Sequence, residues 1–198
     1  QHLVFYLDKA KAGRTADDAW FDQGLAQVAQ RVSGYVDFEK EAWSSNRGSG
    51  WIYDEDFGYL NNTDQVNVLE HDGSLAFSGA SSLFATYILE RYGVKVVDEV
   101  MTSSQPPATI VASYADKDFD RIYLNWMTAN VADLIPEINS SVYKYSSFDL
   151  SKMPSFTGDE IVNGGIKYFK VQGQGGDISL PLPKVDQKVG IVVIKKKQ

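Results

Sequence analysis

The sequence predicts an α+β architecture, with a mainly helical domain over residues 1–145 followed by a small antiparallel β domain over residues 146–198. Three observations carry that division. Before residue 135, apolar side chains recur at three-to-four spacing, the signature of helices with one buried face. After Pro136 the period changes, and from Ser146 onward Gly, Pro and short β-prone runs dominate. The 43% hydrophobic content, with 10 Phe, 11 Tyr and 4 Trp, is ample for a packed core and excludes a disordered chain.

Residues 1–12 read as a helix, with Leu3, Leu7 and Ala10 on one face and Gly13 as its stop. Its opening run, Gln1-His2-Leu3-Val4-Phe5-Tyr6-Leu7, has neither an initiator Met nor a capping residue, so the first turn of this helix is expected upstream. Thr15-Ala16-Asp17-Asp18 then suits a helix N-terminus: Thr15 can cap, and the two Asp favour the positive end of the dipole. That helix runs through Trp20, Leu25, Val28, Ala29 and Val32 to Gly34. Residues 44–76 form a long irregular excursion marked by Gly48, Gly50, Gly58, Gly73 and Asn61-Asn62-Thr63-Asp64. Ser78 to Tyr92 is again helical, with Arg91 in its last turn and Gly93 beyond its end. Val94 to Met101 continues as a shorter helix that Gln105-Pro106-Pro107 breaks, and Asp118 opens another carrying Ile122, Leu124, Trp126, Met127 and Ala129. In the last quarter, 165–171, 178–180 and 189–194 read as strands, with Gly173 to Gly176 as a turn.

Charge and composition narrow the function classes. A net charge of −7 excludes a nucleic-acid partner, which requires a basic face to neutralise phosphates. The absence of Cys removes disulfides, thiolate metal sites and a Cys nucleophile. No apolar run reaches the length of about 18 residues that a membrane span needs.

The segment Ala19-Trp20-Phe21-Asp22-Gln23-Gly24-Leu25-Ala26 carries the strongest chemical signal. It resembles the Trp-Leu-Asn-Glu-Gly-Leu-Ala segment of hyicolysin-like bacterial zinc peptidases, which follows a His-Glu-x-x-His helix. Two later stretches, 78–93 and 118–130, resemble the helices that follow that family's active site, so the likeness covers roughly residues 1–135. In such a site two imidazoles one helical turn apart hold zinc, a Glu beside them activates the metal-bound water, and a carboxylate from the next helix completes the ligand set. The resemblance implies that His2 is the second imidazole ligand and that Gln23 occupies the carboxylate position. This chain departs from the pattern in three ways. The leading His-Glu is missing, Gln23 replaces Glu, and Ser78 and Ser82 stand where Tyr hydroxyls are expected. A neutral amide is a weak zinc donor and removes a full negative charge, so the chain as written is expected not to catalyse hydrolysis.

The remaining candidates are plainer. Glu70-His71-Asp72-Gly73 could ligate a metal but reads more readily as a turn, and Asp54-Glu55-Asp56 offers oxygen ligands for calcium without the spacing of a dedicated loop. Trp20, Trp43, Trp51 and Trp126 read as packing residues. No Gly-x-Ser-x-Gly elbow is present, and Gly173-Gln174-Gly175-Gly176 is not followed by a helix, which disfavours a serine hydrolase and a phosphate loop. Asn61-Asn62-Thr63 and Asn139-Ser140-Ser141 match the glycosylation triplet, and Lys195-Lys196-Lys197 discourages edge pairing of a final strand. The functional expectation is an extracellular, metallopeptidase-like protein, catalytically silent, that binds peptide or protein or assembles with itself. The alternative is the C-terminal part of an active secreted zinc endopeptidase whose remaining ligands lie upstream.

Overall fold

A computed structural model describes residues 7–8, 10–11, 13, 18–34, 50–54, 56–116, 118–132, 135, 138, 140–147, 150 and 165–168. Six helices order this part: α1 (Ala19–Val32), α2 (Gly50–Tyr53), α3 (Leu75–Tyr92), α4 (Val94–Thr102), α5 (Pro107–Ala115) and α6 (Phe119–Ala132). Short 3-10 turns lie at Tyr59–Asn61, between α2 and α3, and at Ser141–Tyr143, after α6. The four described residues between 7 and 11 are also helical, and Gly13 follows with φ 72°, as the sequence predicts for that segment.

Helix α3 is the axis of the fold. Every residue from Ala76 to Ile88 is buried, and α1, α2, α4, α5 and the Tyr59–Asn61 turn all pack on it. A helix with apolar or small residues all round is stable only when surrounded. It starts at Leu75, three residues before the predicted start, because Ser74 caps it: the Ser74 hydroxyl accepts from the Phe77 amide at 2.9 Å. It ends at Gly93, whose φ of 78° suits glycine and turns the chain into α4.

Around α3 an aromatic cluster fills the core. The Trp20 ring stacks on Phe84 at 5.2 Å, Phe84 lies 4.7 Å from Trp126, and Trp126 stacks on Tyr59 at 5.9 Å. Each such pair contributes roughly 0.5–1.5 kcal/mol beyond the burial of its apolar area. Trp20 and Trp126 therefore take the packing roles expected of them, whereas Val32, expected on the buried face of α1, is 74% exposed at the helix end. Trp43 lies outside the described residues.

The α+β expectation is corrected. No strand occurs among the described residues, and no separate antiparallel β domain is seen. Only residues 165–168 of the first predicted strand are described, and they serve the helical core instead. The Ile166 amide donates to the Thr63 carbonyl at 2.8 Å, and its side chain is 1% exposed within the core. The Tyr168 hydroxyl donates to the Met127 carbonyl of α6 at 2.9 Å, and Leu150 is also fully buried. The alternation at Ile166 and Tyr168 is real, but an extended segment laid on helices satisfies a period of two as well as a sheet does. The predicted strands 178–180 and 189–194, the Gly173 to Gly176 turn and Lys195-Lys196-Lys197 lie outside the described residues. Helix α5 begins where the sequence signals a break: Pro107 is its first residue, and proline there is preorganised for a helix.

Candidate functional site

The peptidase-like signal falls on the α1–α3 joint, where two backbones come close. Gly24 makes this possible: a Cβ there would lie 2.4 Å from the Ser81 carbonyl oxygen and 2.6 Å from the Ala85 Cβ. One residue earlier, the Gln23 Nε2 donates to the Ser78 Oγ at 3.1 Å, and the Ser78 hydroxyl points its own hydrogen at the Ser74 carbonyl at 3.5 Å. Gln23 and Ser78, two of the positions at which the chain departs from the pattern it resembles, are thus hydrogen-bonded to each other. Asp22 and Gln27, on the same helix, are each 4% exposed.

At this joint Gln23 presents a neutral amide whose Nε2 donates to Ser78, and no grouping of three or more His, Asp or Glu side chains able to hold a metal occurs among the described residues. His2 lies outside those residues. His71 sits exposed with its ring edge on Phe77 at 4.9 Å, and the Asp72 Oδ1 accepts the Ser74 amide at 2.7 Å, so the Glu70 to Gly73 stretch leads into the α3 cap.

The acidic run after α2 is wound on itself. The Asp54 Oδ1 accepts from the amides of Asp56 at 2.9 Å and Phe57 at 3.2 Å, so this carboxylate forms the turn. Glu55 is not described. The Asn61 side chain donates to the Asp54 carbonyl at 2.8 Å, which commits the nitrogen of that glycosylation triplet to the loop itself. Asn139, of the second triplet, is outside the described residues. The Asn62 Nδ2 donates to the Gly58 carbonyl at 2.9 Å and to the Asp56 carbonyl at 3.4 Å.

Next to Asn62 lies a feature that sequence reasoning missed. Thr63 and Asp64 are both fully buried, and neither the Thr63 hydroxyl nor either Asp64 carboxylate oxygen takes part in a hydrogen bond among the described residues. An ionised carboxylate withdrawn from water without a partner costs several kcal/mol, on the order of the whole stability of a domain. Nothing in the run Asn62-Thr63-Asp64-Gln65 signals burial, since such residues usually mark an exposed turn.

At the far end of α3, Glu90 holds residues 146 and 147: its carboxylate accepts from the Ser146 amide at 2.6 Å and the Ser147 amide at 3.1 Å. The Arg91 guanidinium donates to the Ser141 carbonyl beside it. Between α3 and α6 the buried phenols are also engaged, with the Tyr145 hydroxyl donating to the Asn130 Oδ1 at 2.6 Å and the Tyr87 hydroxyl to the Val142 carbonyl at 3.1 Å. Burial raises the pKa of Tyr59 and Tyr145 well above the usual phenol value, with neighbouring tyrosines adding to the effect. No described helix is long and apolar enough to cross a membrane. No protein-family model matches the chain, and comparison with curated proteins and with solved structures returns no significant similarity.

Proposed function

We infer that this chain is a peptidase-like binding protein of the cell exterior that does not hydrolyse peptides, and whose partner is a peptide or protein. The observation that carries this reading is the Gln23–Ser78 hydrogen bond. At the position that the resemblance assigns to a metal-binding carboxylate, a neutral amide serves instead as a link between α1 and α3. A carboxylate there would offset a dication, whereas the neutral amide brings no negative charge and its nitrogen donates to a hydroxyl.

The test is the metal content of the purified chain, prepared with zinc available and no chelator, together with a peptidase assay of the chain and of Gln23→Glu. The expected result is no stoichiometric zinc and no hydrolysis in either form. About one zinc per chain with turnover of a peptide substrate would overturn the reading in favour of an active endopeptidase. Concentration-dependent assembly in sedimentation, with no peptide bound, would replace the peptide partner with a second copy of the chain.

A further inference from the structure

We propose that the Glu90 carboxylate is an acid-released clasp, holding the chain that follows α6 against the end of α3. Residues 140–147 form no regular element beyond the Ser141–Tyr143 turn, so tertiary bonds fix their place. Those bonds change in kind along the segment. At its start the Arg91 guanidinium donates to the Ser141 carbonyl, and the Tyr87 hydroxyl donates to the Val142 carbonyl at 3.1 Å. In its middle Tyr145 is buried and bonded to Asn130. At its end a single carboxylate takes over. The Glu90 Oε2 accepts the Ser146 amide at 2.6 Å, and its Oε1 accepts both the Ser147 amide at 3.1 Å and the Ser147 hydroxyl. Ser146 and Ser147 are exposed and add little apolar burial of their own, so their place rests on these bonds.

The two ends of the segment answer to acid differently. Below neutral pH the Arg91 guanidinium stays charged and the Tyr87 phenol stays protonated, so the bonds at 141–142 persist. Glu90 has no such constancy. Both of its oxygens already face donors, so a proton on either one sets a donor against a donor. The remaining bonds also lose the charge that makes them roughly twice as strong as neutral ones. The titratable groups that face Glu90 are Arg31 of α1 and Tyr145 of the segment, with Arg91 next to it on α3. Burial lowers the Arg31 pKa and Glu90 partly restores it, so protonation of Glu90 also withdraws a counter-charge from that guanidinium. The hold is complete while the carboxylate is ionised and is lost as pH falls through its titration. The part that opens is 146–147. From there the chain leads to Leu150, which is fully buried, so release slackens a core contact.

The full chain, isotope-labelled, is titrated from about pH 7 to about pH 3 and followed by NMR. The Ser146 and Ser147 amide resonances are expected to move together with the Glu90 carboxyl carbon. Their protection from hydrogen exchange, corrected for the intrinsic rate at each pH, falls about tenfold. The Tyr143 amide, bonded to the Ser140 carbonyl at 2.9 Å, keeps its protection over the same range. In Glu90→Gln the two serine amides are as unprotected at neutral pH as the parent's are in acid, and pH no longer changes them. Ser147→Ala removes only the hydroxyl donor to the ionised carboxylate, so it moves the midpoint of release to higher pH, and it decides if Glu90→Gln does not fold. Serine amides that are indifferent to pH overturn the proposal, as does an equal acid response in Glu90→Gln or an unmoved midpoint in Ser147→Ala. Loss of Tyr143 protection in step with the serines also overturns it, because the whole segment would then be unfolding.

Discussion

Toward α1, helix α3 presents a stripe of small residues, Ser78, Ser81 and Ala85, against Gly24 and Gln23. Toward α6 it presents Phe84, whose ring meets Phe119, Tyr123 and Trp126, and one turn on it presents Tyr87 against Tyr145. The first side relies on close approach of backbones and on a polar link, with a single Trp20–Phe84 stack beside them; the second relies on aromatic bulk. The difference teaches that the two interfaces fail in opposite ways. Added atoms break the small side, and removed atoms break the large one.

The largest effect is expected on the aromatic side. Trp126 is fully buried and touches three other rings, so Trp126→Ala should cost about 3–5 kcal/mol of unfolding free energy, measured by urea denaturation. A loss below about 1 kcal/mol would show that the aromatic side is not the main support of α3. A second test of the same side uses pH. The raised phenol pKa values of Tyr59 and Tyr145 mean that the folded state holds their protons longer than the unfolded chain does. Their contribution is intact below pH 10 and is lost as pH rises above it, each phenol withdrawing about 1.4 kcal/mol per pH unit once the unfolded chain has ionised. By pH 11 the two together should remove about 3 kcal/mol, and Tyr145→Phe should flatten that slope. A stability that is level to pH 11 would contradict the burial of these hydroxyls.

The smaller effect is expected at the α1 joint. Gly24→Ala places a methyl group against the Ser81 carbonyl oxygen and the Ala85 side chain, and should cost about 1–3 kcal/mol despite the better helix propensity of alanine. If Gly24→Ala stabilised the protein, the two helices would have to sit farther apart than 2.4 Å from that methyl allows.

What the sequence disclosed follows the same contrast. The aromatic side was legible because Trp126 lies on a helical stripe, and helical period together with aromatic size reports burial directly. The end of α3 was legible because Gly93 is a local signal. Gln23 and Ser78 were each marked as departures from a pattern, yet their hydrogen bond was not foreseeable from positions 55 residues apart. Local turn chemistry misled at Pro107, where one residue can both stop a helix and start the next. It misled again at Gly165 to Tyr168, where alternation does not say whether the buried face meets a sheet or a set of helices. Asp64 was invisible for a different reason: desolvation is a property of the assembled fold, and an Asp in a polar run gives no hint of it.

The bonds of Ile166 to Thr63 and of Tyr168 to Met127 have a consequence for synthesis. As the chain leaves the ribosome, α1, α2 and α3 can pack once α3 has emerged, and α4 and α5 can follow. The seat between the 63–65 turn and α6 stays unfilled until Ile166 and Tyr168 arrive, roughly a hundred residues after Thr63. Nascent chains released before that point would carry their helices around an open core, ready targets for proteolysis or for association through the face those two residues cover.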